Sequence, residues 1–291
     1  MTKTQHRIYL SILLLIGAFV LITVGIYGYR YYLTPYEDRF FNPLDKLLKP
    51  SGLLGHGFGI IGSIMMILGV AMYMVRKKSR KMLRMGLLKH WLEMHIFLCS
   101  VGPILVLYHT AFKFGGIVAV SFWSMVAVVV SGVVGRFIYI QIPRSIHGQE
   151  YSLDELKLLN FGYTETLRKD YNLQDDLLKR LDHFRSVESY ETLVFFSVMG
   201  IIIQDYFENA SLIHQIRKEL IKRNISHKSI DEIIKICKSK LVLTRRIILL
   251  HSVQRLFKYW HIIHLPFALV MLIIMLIHVG VAVAFGYTWI F

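Results

Sequence analysis

Two pairs of histidines in this chain have the same spacing. His95 is followed by His109, and His264 by His278, fourteen residues later in each case. A helix rises about 1.5 Å and turns about 100° per residue, so fourteen residues cover about 21 Å and return to nearly the same side. In a bilayer with a hydrocarbon core of about 30 Å, this spacing places one imidazole near each membrane face. We therefore expect both histidines of a pair to lie on one stripe of one transmembrane helix.

Imidazole is an axial ligand of haem iron. Two parallel helices with this spacing can hold two stacked haems, His95 pairing with His264 and His109 with His278. An iron with two axial histidines has no open position for a substrate, so the expected chemistry is one-electron transfer. The alternative is that the four histidines only hydrogen-bond between packed helices. Thirteen histidines in 291 residues rarely give two such pairs within apolar segments by chance.

The composition is that of a membrane protein. Hydrophobic residues make up 55% and charged residues 18%, and the mean hydropathy is +0.50. The net charge of +15 comes from Lys and Arg beside apolar segments, which argues against nucleic-acid binding. Two cysteines are too few for an iron–sulfur cluster, and no C-x-x-C-H motif for covalent haem attachment occurs.

Five apolar segments are long enough to cross a bilayer. They cover about residues 8–29, 53–75, 91–112, 117–140 and 259–285. We predict an all-α integral membrane protein with five transmembrane helices in a haem-binding bundle. Its regions are 1–140 with four helices, a cytoplasmic helical insertion at 141–258, and 259–291 with the fifth helix and an outer C-terminus.

The apolar run at 193–203 is too short to span a membrane and predicts a buried or interfacial helix. If it were a sixth crossing, the fifth helix would be reversed. His95 would then share a haem with His278.

Lysines and arginines in short loops indicate the cytoplasmic side. The strongest cluster lies between the second and third segments and comprises Arg76, Lys77, Lys78, Arg80, Lys81, Arg84 and Lys89. It predicts a cytoplasmic N-terminus and cytoplasmic residues 141–258, with residues 30–52 and the C-terminus outside. We expect a multi-pass protein of a bacterial cytoplasmic membrane.

Glycines allow the close backbone approach that a flat macrocycle needs. Gly132 and Gly135 lie at the expected depth of the inner haem, and Gly102 lies midway between His95 and His109. Gly55, Gly59 and Gly62 share one face of the second helix, near the outer haem. Small-residue helix packing is the alternative for all of these glycines.

Arg136 is a candidate partner for a haem propionate. Lys113 is a weaker candidate on the outer side. For Arg136, the alternative is that the side chain only extends to the membrane interface.

Three further histidines, His56, His90 and His261, lie near the predicted membrane boundaries. We interpret them as boundary residues. The alternatives are a proton-exchanging or quinone-contacting site, or a third haem. His261 could also replace His264 as a ligand, although its separation from His278 fits the bilayer less well.

A resemblance to known membrane cytochromes lies in two segments, WLEMHIFLCSVGPILVLYHT and YWHIIHLPFALVMLIIMLIHV. Their H-x13-H pattern on two helices resembles that of cytochrome b of quinol-oxidising bc complexes. It is also similar to the pattern of ferric reductases and related di-haem membrane cytochromes. The resemblance covers helices three to five and implies two non-covalent b haems, ligated by His95, His109, His264 and His278.

The expected function is electron transport across the membrane, as a subunit of a respiratory oxidoreductase complex or a homo-oligomer. Its redox partners would be a ferredoxin, a flavoprotein, an iron–sulfur protein or a c-type cytochrome. One alternative is a catalytic subunit that oxidises or reduces quinone or a metal ion, and another is a haem-free transporter or scaffold. The basic region 141–258 would face lipid headgroups or dock an acidic redox protein.

Overall fold

The computed structural model describes residues 3–79, 87–143, 150–182, 195–223 and 225–287. Within these ranges the protein is helical and has no strand. The helices are α1 (Lys3–Leu33), a 3-10 helix (Tyr36–Phe41), α2 (Asp45–Leu48), α3 (Leu53–Lys78), α4 (Leu88–His109), α5 (Gly116–Gln141), α6 (Leu153–Lys169), α7 (Asp175–Asp182), α8 (Phe195–Lys222), α9 (His227–Ile248) and α10 (Leu250–Ala284).

Five helices are long and apolar enough to cross a membrane: α1, α3, α4, α5 and α10. Large apolar side chains cover their outer faces, as shown by exposed fractions of 73% for Leu14, 68% for Phe19 and 69% for Val133. Lipid rather than water is the favourable solvent for such continuous apolar surface. The prediction of a helical protein with five apolar helices long enough to cross a membrane is therefore confirmed for the described residues.

The third apolar helix, α4, ends at His109 rather than continuing to 112. Ala111 and Phe112 have φ values of 48° and 61°, which a right-handed helix cannot accommodate. The carbonyl of Ala111 accepts a hydrogen bond from the Arg39 guanidinium, and this satisfies a polar group just beyond the helix end. His109 is consequently the last residue of α4.

Helices α3 and α4 pack antiparallel in one continuous register. Gly55 lies beside His109, Gly62 beside Gly102, and Gly69 beside His95. Moving seven residues forward along α3 therefore corresponds to moving seven residues backward along α4. At the central crossing, a Cβ on Gly62 would lie 2.7 Å from the Gly102 carbonyl oxygen. Only glycine permits this approach, so the glycines set the distance between the helices.

A small apolar core joins α3, α4, α5 and α10. Its buried members are Met66, Phe122, Met125 and Met275, and Val106, Leu107, Val126 and Met271 pack against them. Ser121 of α5 also donates a hydrogen bond to the Met271 carbonyl of α10, at 3.0 Å. These contacts lie between the two histidine positions of α10 along the chain and hold α5 against it.

The chain divides into two compact units, residues 1–134 with 262–291, and residues 135–261. The second unit contains α6, α7, α8 and α9 around its own core, which includes Leu167, Leu177, Ile216, Ile233 and Cys237. The Ser152 side chain and Glu155 form a reciprocal capping box at the start of α6.

The apolar run at 193–203 forms the first part of α8 from Phe195 onward, and polar residues continue that helix to Lys222. Helix α8 is not among the five membrane-length helices found in the described ranges. Leu193 and Val194 lie outside those ranges, as do Arg80, Lys81 and Arg84 of the basic loop and residues 288–291.

Candidate functional site

The rings of His109 on α4 and His278 on α10 lie close to each other. Their centroids are 6.5 Å apart, and the ring planes are inclined by 57°. A metal–imidazole nitrogen bond is about 2 Å long, and the ring centre lies about 1 Å further, so two axial imidazoles on one iron have centres about 6 to 6.5 Å apart. The observed separation fits two ligands of one metal ion between them.

His109 is oriented by a hydrogen bond from its Nδ1 to the Gly55 carbonyl oxygen, at 2.8 Å. Since a carbonyl can only accept, Nδ1 must be the protonated nitrogen of the neutral ring. The lone pair is then on Nε2. Metal-ligating histidines typically have their second nitrogen hydrogen-bonded in this way, which fixes both the tautomer and the ring orientation.

His95 repeats this arrangement fourteen residues earlier on α4, where it lies beside Gly69 of α3. Its Nδ1 donates to the Gly69 carbonyl oxygen at 3.1 Å, and its ring lies against Tyr73, with centroids 5.4 Å apart. The Cys99 sulfur lies 3.6 Å from the same Nδ1, one helical turn away. The Nε2 atom of His95 therefore also carries the free lone pair.

His264 has a hydroxyl partner instead of a carbonyl. Its Nδ1 lies 2.7 Å from Ser131 Oγ on α5. The Ser131 hydroxyl also lies 2.9 Å from the Val128 carbonyl oxygen, to which its single proton is donated. The Ser131 oxygen then accepts from His264 Nδ1, so the Nε2 atom again has the lone pair.

Three of the four sequence-predicted ligands thus have the tautomer that iron ligation through Nε2 requires. The structure brings His109 and His278 together, whereas His95 and His264 are held by hydrogen bonds to different helices, α3 and α5. The assignment of all four residues as haem ligands, and the pairing of His95 with His264, remain predictions.

The glycines differ in what lies beside them. A Cβ on Gly59 would lie 2.8 Å from His109 Cγ, so Gly59 provides the space that this imidazole occupies. Gly102 faces Gly62, and Gly135 faces the Trp260 indole, which are helix-packing contacts. Gly132, next to Ser131, leaves open space at its Cβ position, since no other helix of the described residues comes within 4 Å of it.

The two predicted propionate partners have other contacts. Arg136 lies over the Tyr139 ring, with its guanidinium carbon 5.6 Å from the centroid. Lys113 donates to the Tyr36 hydroxyl and lies 4.3 Å from the centre of that ring. Tyr36 is in the 3-10 helix, so Lys113 joins the turn after α4 to the segment after α1.

The three further histidines occupy different environments. The His56 ring lies 6.4 Å from that of His109, which makes it a neighbour of the facing pair. His90 contacts Glu93 at 3.1 Å. His261 is exposed, and its Nδ1 donates to the Phe257 carbonyl of its own helix.

Sequence reasoning did not single out Ser131, Gly69, His6 or Glu93. A serine or a glutamate in an apolar helix is a signal in itself, because polar side chains are costly in a bilayer and commonly have a partner or a function. The role of the Gly69 carbonyl could not be found in this way, because any residue type has a carbonyl.

No protein family model, curated protein or solved structure matches this chain.

Proposed function

We propose that this protein is a b-type di-haem cytochrome that carries electrons across a membrane. The observation that supports this most is the His109–His278 pair, with ring centres 6.5 Å apart and His109 fixed in the tautomer that leaves Nε2 free. The same tautomer at His95 and His264 extends the argument to a second site.

A bound haem would supply a one-electron redox couple at each site. The residues of this chain hold and orient the ligands. Gly55 and Gly69 contribute backbone carbonyls, and Ser131 contributes a hydroxyl. Such outer partners increase ligand basicity and restrict ring rotation. With both axial positions filled by imidazole, the site favours electron transfer over binding of oxygen or substrate.

Alanine variants of the histidines test the ligand pairs. The ratio of haem b to polypeptide is measured on the full chain purified in detergent. His109→Ala and His278→Ala should each lose the same haem, and the double variant should lose no more than either single variant. His95→Ala should lose the other haem, and His264→Ala should lose that same haem.

His227, which is exposed at the start of α9, provides a matched control. His227→Ala should keep full haem content. The proposed pairing is contradicted if His56→Ala removes a haem while His278→Ala keeps both. If every histidine variant retains the wild-type haem content, the ligand assignment fails as a whole.

A second candidate function is quinone oxidation or reduction, and the position of His56 favours it. Its ring lies beside that of His109, so a protonatable group adjoins one of the proposed haem ligands. This function predicts that a quinol reduces the haems of wild-type protein, and that His56→Ala slows this reduction without loss of haem. Equal reduction rates in both proteins would exclude His56 from such a site.

We further propose that the N-terminus and residues 141–258 face the cytoplasm of a bacterium and that the basic helices dock an acidic redox protein. Exposed cationic residues on α8 and α9 support the docking surface: Arg217, Lys218, Lys222, Lys228, Lys235 and Lys238. Haem reduction by an acidic ferredoxin or flavoprotein should then saturate with its concentration and weaken with salt. Contact with anionic lipid alone would give no saturable complex.

A further inference from the structure

A cluster of three potential metal ligands lies where α1 meets α4. His6 comes from α1, and His90 and Glu93 come from the first two turns of α4. His6 Nε2 is 3.4 Å from Glu93 Oε1, and His90 Nδ1 is 3.1 Å from Glu93 Oε2. One ligand atom from each residue lies within 4.8 Å of the other two.

Glu93 is buried in α4, with 8% of the residue exposed. Among the described residues, its polar contacts are His6 and His90. A buried carboxylate requires a compensating positive charge. A divalent cation bound by His6, His90 and Glu93 would supply that charge.

The spacing of the donor atoms suits a small cation. In a tetrahedral site with bonds of about 2 Å, neighbouring ligand atoms lie about 3.3 Å apart. The distances from His6 to Glu93 Oε1 and from His90 to Glu93 Oε2, 3.4 and 3.1 Å, are close to this value, and one ligand atom from each of the three residues lies within 4.8 Å of the other two. His6 Nδ1 is buried and has no hydrogen-bond partner in the described residues, and the Nε2 of the same ring lies 3.4 Å from Glu93.

We infer that His6, His90 and Glu93 bind a divalent transition-metal ion, with Zn²⁺ as the first candidate. Two imidazole nitrogens and one carboxylate suit zinc or iron(II), whereas Mg²⁺ and Ca²⁺ prefer oxygen ligands. Three protein ligands leave a fourth position for water. This site shares no ligand with the proposed haem sites, and the inference does not depend on them.

The bound ion would cross-link the N-terminal part of α1 to α4. Further along the same pair of helices, Gly17 lies against Val101, and Gly25 lies beside the Tyr108 hydroxyl. No residue in the apolar window of α1 is fully buried. A metal ion bound by His6 and Glu93 would therefore add a further link between α1 and α4.

Zinc binding to the full-length chain tests this inference. The protein is purified with an affinity tag that contains no histidine, incubated with Zn²⁺, dialysed, and analysed for zinc and haem in the same sample. We expect one zinc ion per chain. Loss of an outer partner of a ligand typically costs 10- to 100-fold in affinity, so loss of a ligand in Glu93→Gln or His6→Ala should cost more than about 100-fold.

Glu93→Gln preserves the shape of the side chain, and an unchanged circular dichroism spectrum in the absence of zinc would show that the variant is folded. His227→Ala should bind zinc like wild type. Zinc should also raise the unfolding temperature of wild type but not of Glu93→Gln, because only a ligand of the native state stabilises it. The inference is overturned if wild type retains no zinc, if Glu93→Gln and His6→Ala bind it normally, or if His109→Ala abolishes binding while Glu93→Gln keeps it.

Discussion

The hydrogen-bond partners of the histidines differ in whether mutation can remove them. His95 and His109 use backbone carbonyls of α3, which remain after any substitution that preserves the helix. His264 uses the Ser131 hydroxyl, which a single substitution removes. Substitution of Ser131 therefore measures the effect of losing a histidine's hydrogen-bond partner while the histidine itself is kept.

Ser131→Ala should weaken haem binding at the site of His264 by about 10- to 100-fold, because the imidazole loses the partner that fixes its tautomer and orientation. Haem content after dilution and the midpoint potentials from a redox titration measure this effect. The retention and the midpoint potential of one haem should change, and those of the other haem should equal the wild-type values.

Ser121→Ala is the matched control, since it removes a hydrogen bond between the same helices, from Ser121 to the Met271 carbonyl, without affecting a histidine. If Ser121→Ala and Ser131→Ala change the haems equally, Ser131 acts through helix packing and not through His264.

Sequence alone predicted the four histidines as ligands but not their hydrogen-bond partners. The fourteen-residue spacing is visible in the printed chain, and His109 and His278 lie with ring centres 6.5 Å apart. Ser131 and the Gly69 carbonyl become recognisable only when the helices are packed, because neither follows from spacing along one helix.

The α3–α4 helix pair depends on glycines that recur every seven residues. Gly62 and Gly102 form the central crossing, and the two histidine contacts lie one step of seven on either side. Sequence analysis noted the glycine face of α3 but left open whether haem or helix packing explained it. For Gly62 and Gly102 the contact is with the neighbouring backbone, so packing explains them.

Gly62→Ala should destabilise the protein by about 1 to 3 kcal/mol, the usual cost of overpacking a close contact. The added Cβ would lie 2.7 Å from a backbone oxygen, which cannot move without separating the helices. Thermal unfolding in detergent, followed by circular dichroism, measures the change, and haem content should fall with it.

Gly17→Ala is a suitable comparison, because its Cβ would lie 3.4 Å from a Val101 methyl, an ordinary contact. Alanine also favours a helix over glycine by up to about 1 kcal/mol. This variant should be as stable as wild type or more so. If Gly62→Ala is equally stable, the close crossing does not set the helix distance.

The second unit contains a buried ion pair between α8 and α9. Arg245 donates to Asp205 Oδ2 at 2.9 Å, and Asn209 donates to the same oxygen at 2.8 Å. Burial raises the pKa of the Asp205 carboxyl above its ordinary value, although Arg245 and Asn209 act in the opposite direction. The native state therefore binds this proton more tightly than the unfolded chain does.

Stability from a raised carboxyl pKa is complete below the unfolded-state value of about 3.9 and is lost as pH rises through the folded-state value. The free energy of unfolding of wild type should therefore fall, relative to Asp205→Asn, as pH increases from about 4 towards neutrality. Denaturation of the full chain at several pH values measures this difference. If the difference in the free energy of unfolding between wild type and Asp205→Asn does not vary with pH, the Asp205 pKa is not raised in the folded protein.

Across the whole molecule, sequence composition predicted the five membrane-length helices because hydropathy over about 20 residues is a strong signal. It gave no comparable signal for the division at residues 134–135 and 261–262, which falls within α5 and α10. The exact start of α10 was also hidden, because Arg255 and Lys258 continue the helix beyond its apolar part.

The proposed orientation predicts the accessibility of introduced cysteines. Phe40→Cys, in the segment after α1, should react with a membrane-impermeant thiol reagent added outside intact cells. Lys218→Cys on α8 should react only in inverted membrane vesicles. Both positions are exposed, so burial would not prevent labelling.

The native chain is the control. Cys237 is fully buried, and burial raises the pKa of its thiol to about 11, so it stays protonated and unreactive at neutral pH. Labelling of Phe40→Cys and Lys218→Cys from the same side would contradict the orientation proposed for the two segments.

The most direct test of the central claim is the haem b content of the purified wild-type chain. It is obtained from the reduced-minus-oxidised absorption spectrum together with a haemochrome assay and the protein concentration. The proposed ligand set predicts two haems b per chain, both with the spectrum of low-spin iron ligated by two histidines. A stable, folded preparation without haem would contradict the proposed function.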